Sequence, residues 1–169
     1  RQDHISNFQN AANSGFENNL NNLSEQDINT LFQNILHNGI HGICFSLYED
    51  GQKPGDIISE AQIIRRIEIL KPFTNWIRSF STTESNDHIP IIAKEHGLKT
   101  MVGAWLGKDL QKNDEEIENL IRLCRDGYVD IAAVGNEVLY RNDISLDQLL
   151  GYIRYVKEQV PNILVGYVD

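Results

Sequence analysis

Residues 100–137 read TMVGAWLGKDLQKNDEEIENLIRLCRDGYVDIAAVGNE, and the fold class is legible in this stretch. It opens on an apolar run, Thr100–Leu106, and closes on a second, Asp130–Val134. Between them Ile117, Leu120, Ile121 and Cys124 recur at the 3.6-residue period of one helix face. Asn113 or Asp114 is the expected opening residue, because a short polar side chain accepts from the free amides of the first turn. The acidic run Asp114-Glu115-Glu116 then falls in that turn, where the helix dipole favours negative charge. Two short apolar runs joined by a helix form a βαβ unit, and such a crossover leaves its strands parallel.

The same unit recurs on both sides. Further apolar runs lie at Gly42–Tyr48, Trp76–Ser81 and Ile163–Val168, so successive runs begin at 42, 76, 100, 130 and 163, spacings of 34, 24, 30 and 33 residues. Ser59 with Gln62 forms a capping box ahead of Ile63, Ile67 and Leu70. His88 to Gly97 makes a shorter helix with Pro90 tolerated in its first turn. Ser145 with Gln148 opens a helix carrying Leu149, Ile153 and Val156, and Pro161 comes after it. Ahead of the first run, Ser24 caps a helix with Ile28, Leu31, Ile35 and Leu36 on one face and Gly39 at its end. Residues 1–23 are Asn-rich and lack apolar periodicity, which reads as a polar N-terminal arm before a domain spanning 24–169.

Five apolar runs with intervening helices suit either an open doubly wound sheet or part of a closed barrel. The loop after the first run, Glu49 to Asp56, has two glycines without GxGxxG spacing, and its helix starts too late to cradle a phosphate. Nucleotide binding is therefore disfavoured. A barrel predicts polar and aromatic residues at the C-terminal ends of its strands. Tyr48, Arg78, Ser81, Trp105, Asn136, Glu137 and Asp169 occupy such positions, and Tyr140 stands three residues beyond Glu137. Aromatic faces stack on sugar rings while an amide, a guanidinium and carboxyls fix hydroxyls, so the set suits a pyranoside.

Composition agrees. The 169 residues are 41% hydrophobic and 23% charged, ordinary for a globular chain, and the formal charge of −9 disfavours nucleic acid and anionic membranes as partners. A neutral polymer fits. Cys44 lies in an apolar run and Cys124 on an apolar helix stripe, so both read as buried free thiols. No Cys or His stands at metal-ligand spacing, and neither a metal nor a cofactor is expected. His4, His37, His41, His88 and His96 are scattered and pair with no nucleophile motif. Asn22-Leu23-Ser24 has the form of a glycosylation sequon.

Gly42-Ile-Cys-Phe-Ser-Leu-Tyr-Glu-Asp-Gly-Gln, Trp76-Ile-Arg-Ser-Phe-Ser, Val102-Gly-Ala-Trp-Leu, Val134-Gly-Asn-Glu-Val and Val165-Gly-Tyr-Val-Asp together resemble glycoside hydrolase family seventeen, the β-1,3-glucanases and related glucanosyltransferases. The resemblance implies a (β/α)8 barrel, of which this sequence supplies about the first five strands and four helices. It implies a retaining hydrolase acting on β-1,3-glucan, with Glu137 as acid/base, Asn136 at the sugar 2-hydroxyl and Arg78 near the nucleophile. Placement outside the cell, extracellular or periplasmic, is likewise what the resemblance implies. The family's nucleophile is a glutamate ending the seventh strand, and no glutamate here matches it. The expectation is accordingly a truncated chain, a split barrel finished by a complementing chain, or a half-barrel finished by self-association. A non-catalytic glucan-binding half-barrel, or a transglycosylase when complete, is the alternative.

Overall fold

The computed structural model describes residues 23–169, so the polar arm and Asn22 of the sequon lie outside the described residues. Helix α1 spans Glu25–Asn38 and forms a unit described by itself. The Ser24 hydroxyl accepts from the Asp27 N–H while the Asp27 carboxylate reaches back to the Ser24 N–H, and Gly39 at φ +82° closes the helix.

The second unit, Ile40–Asp169, alternates strand and helix throughout. Its elements are β1 (Ile40–Cys44), α2 (Glu60–Leu70), β2 (Thr74–Ser79), α3 (His88–Glu95), β3 (Lys99–Ala104), α4 (Leu110–Arg125), β4 (Ile131–Asn136), α5 (Leu146–Gln159) and β5 (Leu164–Val168). Every neighbouring strand pair is parallel and the sheet order is β1-β2-β3-β4-β5. A doubly wound sheet reverses its order at a switch point, whereas a barrel adds each strand on the same side of the last. The order is the barrel's.

Helices cover one face of the sheet. Ile63 and Ile67 of α2 and Ile89 and Ile92 of α3 pack with Phe45, Leu47 and Ile77. Leu120, Ile121 and Cys124 of α4 and Leu149 and Val156 of α5 pack with Val102, Ala104 and Val134. Side chains alternate along a strand, so Cys44, Trp76, Arg78, Met101 and Ile131 fall on the other face, where they line a shallow cavity of about 260 Å³.

Three local expectations are corrected. Cys44 is exposed, because the alternation gives Phe45 to the helix side and turns Cys44 to the uncovered face. Helix α4 starts at Leu110 with Asp109 as its cap, not at Asn113 or Asp114, since the Asp109 carboxylate accepts from the Lys112 N–H at 3.2 Å. The Asn113 amide is used instead to bond both main-chain groups of Gly107, at 2.7 and 2.8 Å. The capping box at Ser145 and Gln148 is complete, but Ser59 caps α2 alone. Gln62 turns its amide to the Leu47 carbonyl, 2.8 Å away, and so ties α2 to the segment after β1.

Candidate active site

The end of β4 departs from regular strand geometry. Ala133 pairs with Gly166 and Asn136 with Val168, so three steps along β4 match two along β5, a bulge. Gly135 stands there at φ +84°, and a Cβ on it would meet Val138 Cγ1 at 3.3 Å. The extra residue re-aims the side chains of Asn136 and Glu137. Asn136 turns toward Arg78, whose Nη2 donates to Asn136 Oδ1 at 2.6 Å, and Glu137 stands next in the left-handed region at φ +53°. The Glu137 N–H donates to the Val168 carbonyl at 2.8 Å, its carbonyl accepts from the Arg141 N–H at 2.9 Å, and its carboxyl is exposed. A residue with a Cβ is held in this region only where its surroundings impose it, and such residues gather at functional sites.

Arg78 on β2 reaches Asn136 on β4 across the intervening β3. Gly103 of β3 shares a face with Met101 and leaves that path free of a side chain; an added Cβ would sit 2.9 Å from the Ser79 carbonyl. Phe80 backs the Arg78 guanidinium, whose carbon lies 4.6 Å from the ring centroid. The Arg78 Nε is buried without a hydrogen-bond partner among the described residues.

Behind this row stands Glu116, which is fully buried. It accepts from Ser81 Oγ at 2.5 Å, Thr82 N at 2.7 Å, Thr82 Oγ1 at 2.9 Å, Thr83 Oγ1 at 2.7 Å and Trp105 N at 3.1 Å. A buried carboxyl costs several kcal/mol unless its oxygens are bonded, and these donors from two strand ends supply the bonds. Glu116 thus fastens the ends of β2 and β3 together. This corrects its reading as a first-turn acid placed by the helix dipole: with α4 starting at Leu110, Glu116 lies in the second turn and is buried. The Ser81 hydroxyl is committed to Glu116. Beside it, Tyr48, Phe80 and Trp105 line a cleft of about 310 Å³ at the strand ends.

Sequence reasoning passed over Arg141. Its Nη1 donates to the Asn136 carbonyl, its Nη2 to the Leu106 carbonyl at 3.0 Å and its Nε to Asp143 Oδ2 at 2.7 Å. Its guanidinium carbon lies 4.5 Å from the Trp105 ring centroid. No motif announces this, because an arginine in a polar loop reads as solvated. Tyr140, next to it, is 81% exposed and stands apart. Asp169 accepts from the Tyr167 hydroxyl at 2.8 Å, and that hydroxyl also accepts from the Leu139 N–H at 3.4 Å. Burial and then the Asp169 bond push the Tyr167 hydroxyl above the usual tyrosine pKa. Of the expected residues, then, Arg78 bonds Asn136, which Glu137 directly follows, and Tyr48, Ser81 and Trp105 share a cleft; Arg141, which was not expected, touches both Asn136 and Trp105.

The chain is similar to known proteins in sequence and fold. Residues 42–168 match the family model described as the BtgE/BtgC glycoside hydrolase domain. A glucan 1,3-beta-glucosidase of Schizosaccharomyces pombe is 33% identical over 88 residues, which is 48% of this chain and 27% of that protein. An active-site mutant of the Rhizomucor miehei β-1,3-glucanosyltransferase, solved in complex with laminaritriose, is 26% identical with a TM-score of 0.66, over 79% of this chain and 50% of that one. The structure of the glycoside hydrolase family 17 β-1,3-glucanosyltransferase of the same fungus matches at 26% identity and a TM-score of 0.63, over 76% of this chain and 49% of that one. The chain therefore spans about half the length of these solved relatives and about a quarter of the yeast protein.

Proposed function

The chain belongs to the BtgE/BtgC glycoside hydrolase domain family, and from that premise we propose that it carries the acid/base half of a retaining hydrolase acting on β-1,3-glucan. Glu137 is the acid/base in this reading. The observation that carries it is the row Arg78, Asn136, Glu137 at a bulged strand end: an exposed carboxyl beside an amide that a guanidinium fixes at 2.6 Å. The amide is oriented because Arg78 can only donate, so Asn136 presents Oδ1 to Arg78 and leaves its NH2 free for a sugar hydroxyl. Tyr48 and Trp105 offer ring faces for the adjoining sugar units.

In a retaining cycle the protonated Glu137 gives its proton to the glycosidic oxygen as the bond to the leaving sugar breaks. A second carboxylate, about 5–5.5 Å from the first, forms the bond to the anomeric carbon. Glu137, now ionised, then takes a proton from water, and the hydroxide released from that water displaces the enzyme carboxylate. We assign that second carboxylate to a residue beyond the five strands described, by the resemblance a glutamate of strand seven. The same proposal covers action outside the cell. Purified chain, with and without the remaining barrel segment of a family member, is incubated with linear β-1,3-glucan beside Glu137→Gln. The expected outcome is turnover that drops about 10²–10⁴-fold in the variant. Equal turnover by both proteins removes Glu137 from the role.

Both fungal structures are of a Rhizomucor miehei β-1,3-glucanosyltransferase, which favours a second reading in which an acceptor sugar replaces water. Oligosaccharides longer than the substrate among the products support it, and glucose or shorter oligosaccharides alone exclude it.

A further inference from the structure

Two carbonyls flank the Cα of Glu137, and Arg141 holds both. The guanidinium Nη1 donates to the Asn136 carbonyl, which belongs to the peptide entering Glu137. The Arg141 main-chain N–H donates to the Glu137 carbonyl, which belongs to the peptide leaving it, at 2.9 Å. The φ and ψ angles of Glu137 are rotations between these two peptide planes, so leaving the left-handed region pulls one of the oxygens off its donor. The rest of the guanidinium is anchored elsewhere. Nη2 bonds the Leu106 carbonyl at 3.0 Å, Nε bonds Asp143 at 2.7 Å, and one face lies on Trp105 at 4.5 Å. With its charge met by Asp143 and its face covered by Trp105, Arg141 is not arranged to bind an anionic ligand.

We propose that Arg141 is a positioning residue that locks Glu137 in its left-handed conformation and sets its carboxyl at a fixed place relative to the Trp105 side of the cleft. It ties the end of β4 to the end of β3 through the Leu106 carbonyl, so the proton donor and the aromatic ring keep one mutual geometry while substrate binds. A lysine does not substitute for it, since an ammonium cannot span three acceptors in a plane and stack at once. The inference rests on the reading of Glu137 as acid/base for its catalytic meaning, but its geometric content is tested separately.

The test is amide hydrogen exchange in the chain carrying Arg141→Lys or Arg141→Met, read at Glu137, whose N–H is bonded to Val168 at 2.8 Å. Arg141→Met is expected to speed exchange at Glu137 at least about tenfold, with the lysine variant intermediate. Exchange in the β4 ladder at Ala132 and Val134 is expected to stay within about twofold of the parent. Unchanged exchange at Glu137 overturns the proposal, and so does an equal rise along all of β4, which marks a merely structural bolt. In the form of the protein that turns over β-1,3-glucan, Arg141→Met is expected to lower kcat with KM nearly unchanged, whereas a rise in KM alone overturns the role. Absence of turnover in the parent protein with the completed barrel overturns the acid/base reading and leaves the exchange result to decide the positioning claim.

Discussion

At Glu137 the backbone stands at φ +53°, where a side chain bearing a Cβ costs about 1–2 kcal/mol. The bulge at Gly135, the Val168 carbonyl and Arg141 hold it there. Because glycine adopts this region freely, Glu137→Gly and Glu137→Ala, which both remove the carboxyl, are expected to differ in stability. The glycine variant gains about 1 kcal/mol over the alanine one, read as a higher urea midpoint at equal slope. An alanine variant as stable as the glycine one shows that the backbone there stores no strain. The residues that announced themselves in the sequence, Arg78, Asn136 and Glu137, did so because strand ends in a βα rhythm are countable. Arg141 and Glu116 stayed hidden for a physical reason: Leu106, which Arg141 bonds, and Ser81, Thr82 and Thr83, which Glu116 bonds, lie 33–35 residues away in sequence, and no local pattern encodes such contacts.

Among the elements, the helices and strands were readable from their apolar period and the Ser24 and Ser145 caps, whereas the start of α4 was not. The segment Asp109 to Asp114 offers several capping side chains, and the choice fell to Asp109 because the loop at Gly107 claims Asn113 for itself. At the opposite end of the sheet, Asp130 joins three elements, accepting from Lys94 Nζ of α3 at 2.8 Å and the Thr100 N–H of β3 at 2.7 Å just before β4 begins. Burial works against its charge, but the Lys94 ammonium, the Thr100 N–H and the nearby Lys99 outweigh burial and hold its pKa below the ordinary carboxylate value. A depressed folded-state pKa means that the stability Asp130 contributes is present above the unfolded value near ~3.9 and is lost as pH falls through the lower folded value. Asp130→Asn is therefore expected to cost about 1.5–3 kcal/mol at pH 7. The gap to the parent chain closes as urea midpoints are tracked below about pH 4, and a gap constant down to pH 2 shows that the charge on Asp130 is not what stabilises the joint.

For the whole molecule, sequence reasoning reached the barrel through strand-end chemistry, while the strand order that separates a barrel from a doubly wound sheet had to be seen. A crossover helix of given length serves both, and only the side on which each strand is added differs. Cys44, Trp76, Arg78, Met101 and Ile131 lie on the face of the sheet opposite the helices. In an eight-stranded barrel that face turns inward and its side chains fill the interior in layers. Its two thiols make this measurable. Burial pushes the Cys124 thiol up to about 11, and it faces the core from α4, whereas Cys44 is exposed on the other face of the sheet. At pH 8 a disulfide reagent is expected to modify one thiol per chain quickly, at Cys44, and to reach Cys124 only on unfolding. The rate at Cys44 then reports what covers the face. A rate that falls as protein concentration rises marks closure by a second copy, and one that falls only when the remaining barrel segment of a family member is supplied as a separate chain marks complementation. A rate unmoved by either shows that this face of the chain stays open to solvent.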